Sequence, residues 1–268
     1  VPGPFGRRLR EWRGARGLTQ LELAHAAGVS PRHLSFVETG RSRPGEDVVL
    51  RLARALALAP RDTNGLLEAA GLAALYPAAS TDDRRFDPYR RVLERMMAAH
   101  EPFPCLILDR YWNLVEANRS ARRLFGVDGP LPAEEVLRRL YGPGPLRDSL
   151  KNWPVVAWAA LDRLRTEARD AGGPLVPLVA LVEGWLVGVP RPRVDTCGQG
   201  LAVCPVFAFG GQEVRTLSTL TRFVSALDVG VDELRIEHVF PADDASEAVL
   251  RALAAGGANP AGTSRHLP

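Results

Sequence analysis

One stretch constrains the fold of this chain more than any other. Residues 18–44 read Leu-Thr-Gln-Leu-Glu-Leu-Ala-His-Ala-Ala-Gly-Val-Ser-Pro-Arg-His-Leu-Ser-Phe-Val-Glu-Thr-Gly-Arg-Ser-Arg-Pro. Thr19 is a natural N-cap, and Glu22 stands three residues on, the capping-box spacing. Leu21, Ala24 and Ala27 are expected on one face of the helix that follows. Gly28 supplies the left-handed residue that ends it, and Val29 plugs the angle. Ser30 caps a second helix with Pro31 in its first turn, where a missing N–H costs nothing. Leu34 and Val37 point inward, Arg32, His33, Ser35 and Phe36 point outward, and Gly40 closes the helix. Phe5, Leu9 and Trp12 stripe an earlier helix ringed by Arg7, Arg8, Arg10, Arg13 and Arg16. Two later stripes, Val48, Leu52, Ala55 and Leu56, then Leu66, Leu67 and Ala70 up to Gly71, bring the expected total to five short helices. That is the size of a small independent domain.

Leu18–Pro44 resembles the lambda-repressor-like (XRE-type) helix-turn-helix, which implies a double-stranded DNA partner. The resemblance gives Gln20 a phosphate to hold and the recognition helix to buttress. It makes Pro31, Arg32, Ser35 and Phe36 the base readers behind the Ser30 cap. Pro31 stands where the family often has a long polar reader, which shifts readout to Arg32. Arginine forks onto guanine O6 and N7, while Phe36 and the Ser35 methylene suit a thymine methyl. His33, Arg41 and Arg43 suit phosphates, which set register without reading sequence. The competing interpretation is an ordinary helical hairpin with solvated arginines.

Charge supports the DNA reading. Residues 1–71 hold 11 Arg against 7 Asp or Glu, a net of +4, whereas residues 72–268 hold 23 Lys or Arg against 24 Asp or Glu, a net of −1. The basic excess lies in the part with the motif, as steering towards phosphate requires. No apolar run reaches the ~18 residues of a membrane span, and the Arg-rich start has no apolar segment behind it, so neither membrane insertion nor a signal peptide is expected. A cytoplasmic protein is expected. Cys105, Cys197 and Cys204 have no metal-ligand spacing and read as reduced apolar residues. No Gly-rich phosphate loop, metal cluster or Gly-x-Ser-x-Gly occurs, and Lys151 beside Ser149 has no supporting pattern, so no enzymatic site is expected.

Residues 72–87, rich in Ala, Pro and Asp, read as a linker. Beyond it, a helix is expected at about 88–99, then strands at 106–108 and 112–116 around a turn. Asn118 starts a helix to Phe125, a pattern shared with the opening of PAS-type sensor domains. A long helix is expected from Asn152-Trp153-Pro154 to about Asp170, and another at about 175–186. Alternation at Leu201, Val203, Phe207 and Phe209, then Gly210-Gly211, then Glu213–Phe223, reads as a hairpin. Leu234, Ile236, His238 and Phe240 form a last strand, followed by a helix at about 244–254 and a disordered tail over 255–268.

Taken together, Ser30–Pro44, Ala99-His100-Glu101-Pro102, Asp109 to Asn118, Asn152-Trp153, Leu217-Ser-Thr-Leu-Thr and Phe240-Pro-Ala-Asp resemble the MmyB-like transcription regulators over about residues 5–254. The resemblance implies an all-α five-helix lambda-repressor-like DNA-binding domain (1–71) followed by an α+β PAS-like ligand-binding domain (88–254). It also implies a long-chain fatty acid as the small apolar ligand, with no cofactor required. Candidate lining residues are Trp112, Trp153, Trp158, Phe207, Phe209, Phe223 and Phe240, each of which also reads as plain core. A buried carboxylate needs a cation, for which Arg122 and Arg222 are the candidates. One recognition helix covers few base pairs, so a homodimer on a two-fold operator is expected. Two alternatives stay open: a second domain that is only a dimerisation scaffold, and a haem-binding PAS sensor using His100 or His238.

Overall fold

A computed structural model describes residues 3–78, 83–171, 173–192, 202–209, 211–223 and 226–256. It divides into two compact units: residues 1–86 with 223–232, and residues 87–222 with 233–268.

Residues 3–78 of the first unit carry five helices: α1 (Pro4–Ala15), α2 (Gln20–Ala26), α3 (Pro31–Thr39), α4 (Glu46–Ala55) and α5 (Pro60–Ala69). The local chemistry is as the sequence dictates. Thr19 and Glu22 form a reciprocal capping box, Ser30 Oγ accepts the His33 N–H at 3.1 Å, and Gly28, Gly40 and Gly71 take positive φ at helix ends. Phe5, Leu9, Leu23, Leu34, Val37, Val49, Leu52, Leu66 and Leu67 make the core. Two inward faces differ from expectation. Leu21 is 66% exposed and Leu23 takes its place; Val49 and Ala53, not Val48 and Ala55, anchor α4. Capping fixes where a helix begins, whereas its rotation is set by the neighbours it packs on. The stretch expected to be a linker is pinned at its start, since Asn64 Oδ1 accepts from the Leu75 and Tyr76 N–H groups at 3.0 and 2.9 Å.

The second unit opens with α6 (Asp87–His100), then β1 (Cys105–Leu108), β2 (Leu114–Ala117) and α7 (Arg119–Phe125). Asn118 caps α7, its Oδ1 accepting the Ala121 N–H at 2.9 Å and the Cys105 N–H at 3.0 Å. Next come α8 (Ala133–Tyr141) and α9 (Pro145–Ser149), which have no counterpart in the sequence reading. They are followed by α10 (Trp153–Ala171), α11 (Val176–Trp185), β3 (Val206–Phe209) and β4 (Gln212–Thr221). After α12 (Val229–Asp232) come β5 (Arg235–Pro241) and α13 (Asp244–Ala254). The five strands form one sheet in the order β2-β1-β5-β4-β3, with every pairing antiparallel. This is the expected α+β PAS-like architecture. Leu201 and Gly210 of the predicted hairpin, and residues 257–268 of the predicted tail, lie outside the described residues. Cys204 is disulfide-bonded, which corrects the expectation of three reduced thiols. Cys105 is a free, buried thiol, and burial pushes its pKa up to about 12.

Residues 223–232 connect β4 to β5, yet they fold into the first unit. Val229 and Val231 are buried, the Val229 N–H donates to Pro77 O at 2.8 Å, and α12 packs on α5. The chain therefore leaves the sheet, joins the helical unit and returns.

Candidate nucleic-acid interface and ligand-binding domain

The recognition helix α3 is held from behind by a buried acid. Glu38 is fully buried on the inner face of α3. Its carboxylate accepts Arg13 Nε at 2.8 Å and Nη2 at 3.3 Å, and Gln20 Nε2 at 2.6 Å. Arg10 Nη2 donates to the Glu38 carbonyl at 3.0 Å. A carboxylate removed from water survives only when paired and hydrogen-bonded; this one joins α1, α2 and α3 at one point. Gly6 of α1 completes the joint. A Cβ there would lie 2.2 Å from the Glu38 carbonyl oxygen, so only glycine lets the two backbones approach.

The opposite face of α3 is cationic and aromatic. The Arg32 and Arg41 guanidiniums lie 5.3 and 5.9 Å from the Phe36 ring centroid, within cation–π reach. Both arginines, Pro31 and Arg43 are exposed, while His33, Ser35 and Phe36 are half-buried. The Phe36 ring thus gathers two guanidiniums at one place on this face of α3. Ser30 serves as the cap. Gln20 is turned towards Glu38, to whose carboxylate its side-chain amide donates.

In the second unit the sheet register sorts the predicted ligand residues. Phe207 pairs with Val214, and Leu220 pairs with Glu237, which pairs in turn with Leu106. With side chains alternating, these residues share the face against which α10 lies. Phe207 and Phe209 stack there at 5.4 Å, in one apolar cluster with Trp112 and Trp153 and with Trp158 packed against it. Phe240 pairs with Leu217 and lies on the other face, 4.7 Å from His100 in ring-centroid distance. Phe223 belongs to the first unit. Arg122 is committed to the Glu116 carboxylate and the Ala117 carbonyl, and Arg222 is exposed beyond the end of β4.

The structure places a different cation against the inner face. Arg163 of α10 donates from Nε to Glu167 Oε1 at 2.9 Å, and its Nη1 lies 3.5 Å from Glu237 Oε2 on β5. Its guanidinium stacks 4.5 Å from the Trp112 ring, and Trp112 Nε1 donates to Glu167 Oε2 at 2.6 Å. Burial works against the charged Arg163, but the Glu237 and Glu167 carboxylates outweigh it and raise its pKa. Burial, then Glu237, pushes the Tyr141 hydroxyl up as well. Trp112 adopts a left-handed φ of 69°, a conformation costing a bulky residue roughly 1–3 kcal/mol. Asp109 holds it there, its Oδ1 accepting the Tyr111 and Asn113 N–H groups at 2.8 and 2.9 Å. Sequence reasoning missed Arg163, Glu167, Glu237 and Tyr141. An Arg–Glu pair four apart on a helix has the spacing of an ordinary surface ion pair, and nothing local distinguishes it.

The model of the MmyB-like transcription regulator ligand binding domain matches residues 89–253, more than half of the chain. The chain belongs to the MmyB-like transcription regulators. A helix-turn-helix domain model matches residues 4–66, so this member of the family joins a DNA-binding head to a ligand-binding domain. No curated protein matches the chain. Among the described residues no helix is long and apolar enough to cross a membrane, and no group of three or more His, Cys, Asp or Glu could hold a metal ion. His100, one of the two histidines considered for haem, has its Nε2 3.0 Å from the Val239 carbonyl oxygen.

Proposed function

We propose that this family member is a cytoplasmic regulator whose DNA affinity is set by a small apolar ligand, a long-chain fatty acid, bound in the second unit. We further propose that it acts as a homodimer on a two-fold operator. The observation that carries the regulatory reading is the path of residues 223–232. The connection between the adjacent strands β4 and β5 is built into the unit that holds the recognition helix. A ligand that shifts those strands therefore acts on the DNA-binding unit through covalent chain, with no separate messenger. The apolar cluster around Phe207, Phe209, Trp112 and Trp153 supports an apolar ligand, since such sites combine apolar lining with a few placed polar groups. The dimer reading rests on the short span of one recognition helix.

The test is delipidation of the full chain, re-addition of fatty acids of graded chain length, and measurement of melting temperature and operator affinity together. Stabilisation should follow RT ln(1 + [L]/Kd), and operator affinity should move with it. Unchanged melting at every chain length, with no lipid extracted from fresh protein, would leave only the scaffold reading. Binding without any change in operator affinity would show that the ligand does not gate DNA. Protection of a single half-site at saturation would rule out the dimer.

A further inference from the structure

We propose that Arg163 is the head-group anchor of the ligand-binding domain and that Glu237 is an internal competitor occupying its place until an acidic ligand arrives. The inference rests on the apolar-acid reading above and deepens it by naming the residues that recognise the acid.

Three observations converge. The first is that Arg163 is only half committed. Its Nε is fixed by Glu167, yet among the described residues its two terminal nitrogens make no hydrogen bond, having only the ion pair to Glu237 at 3.5 Å. That distance is too long for a charge-assisted hydrogen bond, which runs near 2.7–2.9 Å. The outward fork of the guanidinium thus meets a loosely held carboxylate and has the geometry to take a closer one. A second observation is that the guanidinium is held in position. It stacks on Trp112, whose N–H is locked to the same Glu167, so acid binding does not have to order it. The third is that the surroundings are apolar but open. Arg163 retains 32% of its side-chain exposure, and Leu220, directly across from Glu237, is 42% exposed on the inner face of the sheet.

Charge decides the manner of binding. Arg163, Glu167 and Glu237 sum to −1, so a further carboxylate cannot simply be added. Glu167 makes two hydrogen bonds under 3 Å, whereas among the described residues the Glu237 side chain makes only the longer contact to Arg163. The ligand carboxylate therefore displaces Glu237, and because Glu237 sits on β5, the exchange acts on the strand that leads back to residues 223–232.

The experiment uses the delipidated full chain, with dodecanoate, 1-dodecanol and dodecylamine titrated by calorimetry into wild type, Arg163→Met and Glu237→Gln. Arg163→Met should weaken dodecanoate about tenfold or more, the loss of a charged hydrogen bond, and leave dodecanol within about threefold. Glu237→Gln is the decisive variant, because it keeps shape and removes only the competing charge. It should tighten dodecanoate several-fold. Equal binding of dodecanoate and dodecanol by all three proteins would overturn the anchor while keeping the apolar site. Preference for dodecylamine, lost in Glu237→Gln, would make the site a cation receptor and overturn the proposal. If wild type binds none of the three, the apolar-acid reading itself fails and the anchor falls with it.

Discussion

Glycine-to-alanine substitution in the first helix gives a test in which sequence logic and structure disagree in sign. Gly6 and Gly14 both lie within α1. Helix propensity alone favours alanine at either site by roughly 0.5–1 kcal/mol. At Gly14 nothing lies within 4 Å of the added Cβ, so the full propensity gain should appear. At Gly6 the Cβ would meet the Glu38 carbonyl oxygen at 2.2 Å and its carbonyl carbon at 2.7 Å. Both are backbone atoms, so no rotamer relieves the overlap and α1 must retreat from α3 by about 1 Å, the gap to ordinary van der Waals contact. A retreat of that size takes the Arg13–Glu38 bond from 2.8 Å beyond hydrogen-bonding range, costing roughly 1.5–3 kcal/mol for a charged bond. Lost packing adds about 1–3 kcal/mol. Set against the propensity gain, Gly6→Ala should destabilise the first unit by about 1.5–5.5 kcal/mol. Urea denaturation of the full chain, followed by far-ultraviolet circular dichroism, reads the transition of each variant against wild type. Gly6→Ala should also weaken operator binding, because α3 loses its brace. If Gly6→Ala proves as stable as Gly14→Ala, the close approach of the two backbones is not what holds α3.

Three further outcomes are expected. Arg32→Ala should cost about 1–3 kcal/mol of operator binding and relax specificity at one base pair; competition with single-base operator variants reads this, and unchanged specificity removes Arg32 as a reader. Arg110 and Glu233 form an ion pair at 3.3 Å with both side chains under 10% exposed, so Arg110→Met should destabilise by about 3 kcal/mol, while Arg110→Met with Glu233→Gln recovers much of that loss; a double variant no better than the single would refute the pairing. Hydrogen bonds from Arg85 hold the Asp83 carboxyl down at about 2. Its contribution to stability is therefore present above the ordinary aspartate pKa and lost as pH falls from there towards 2. Nuclear magnetic resonance titration of Arg85→Ala should return Asp83 to the usual range, near 4, and an unmoved value would exclude Arg85 as the cause.

What the sequence by itself determined is the chemistry that closes within a few residues. The Thr19–Glu22 box, the Ser30 cap, Pro31 in a first turn, the left-handed glycines at 28, 40 and 71, and Asn118 at the head of α7 were all legible, because each cap and turn is satisfied by its immediate neighbours. The alternation on β3 and β5 was legible for the same reason. Only the tertiary structure decided which way those elements face. Leu21 and Leu23 differ by two positions on one helix, and burial went to the one that faces the core where α2 packs on α3 and α4. Phe207 and Phe240 carry the same ring, but antiparallel pairing across β4 put them on opposite sides of the sheet. Arg163 and Glu38 carry side chains that usually stay in water, and long-range partners drew one into the half-buried inner face and the other fully into the core. Residues 223–232 lie between two strands of the sheet and fold with the helices. In each case the deciding free energy comes from groups distant in sequence, through burial and charge pairing that no local pattern encodes.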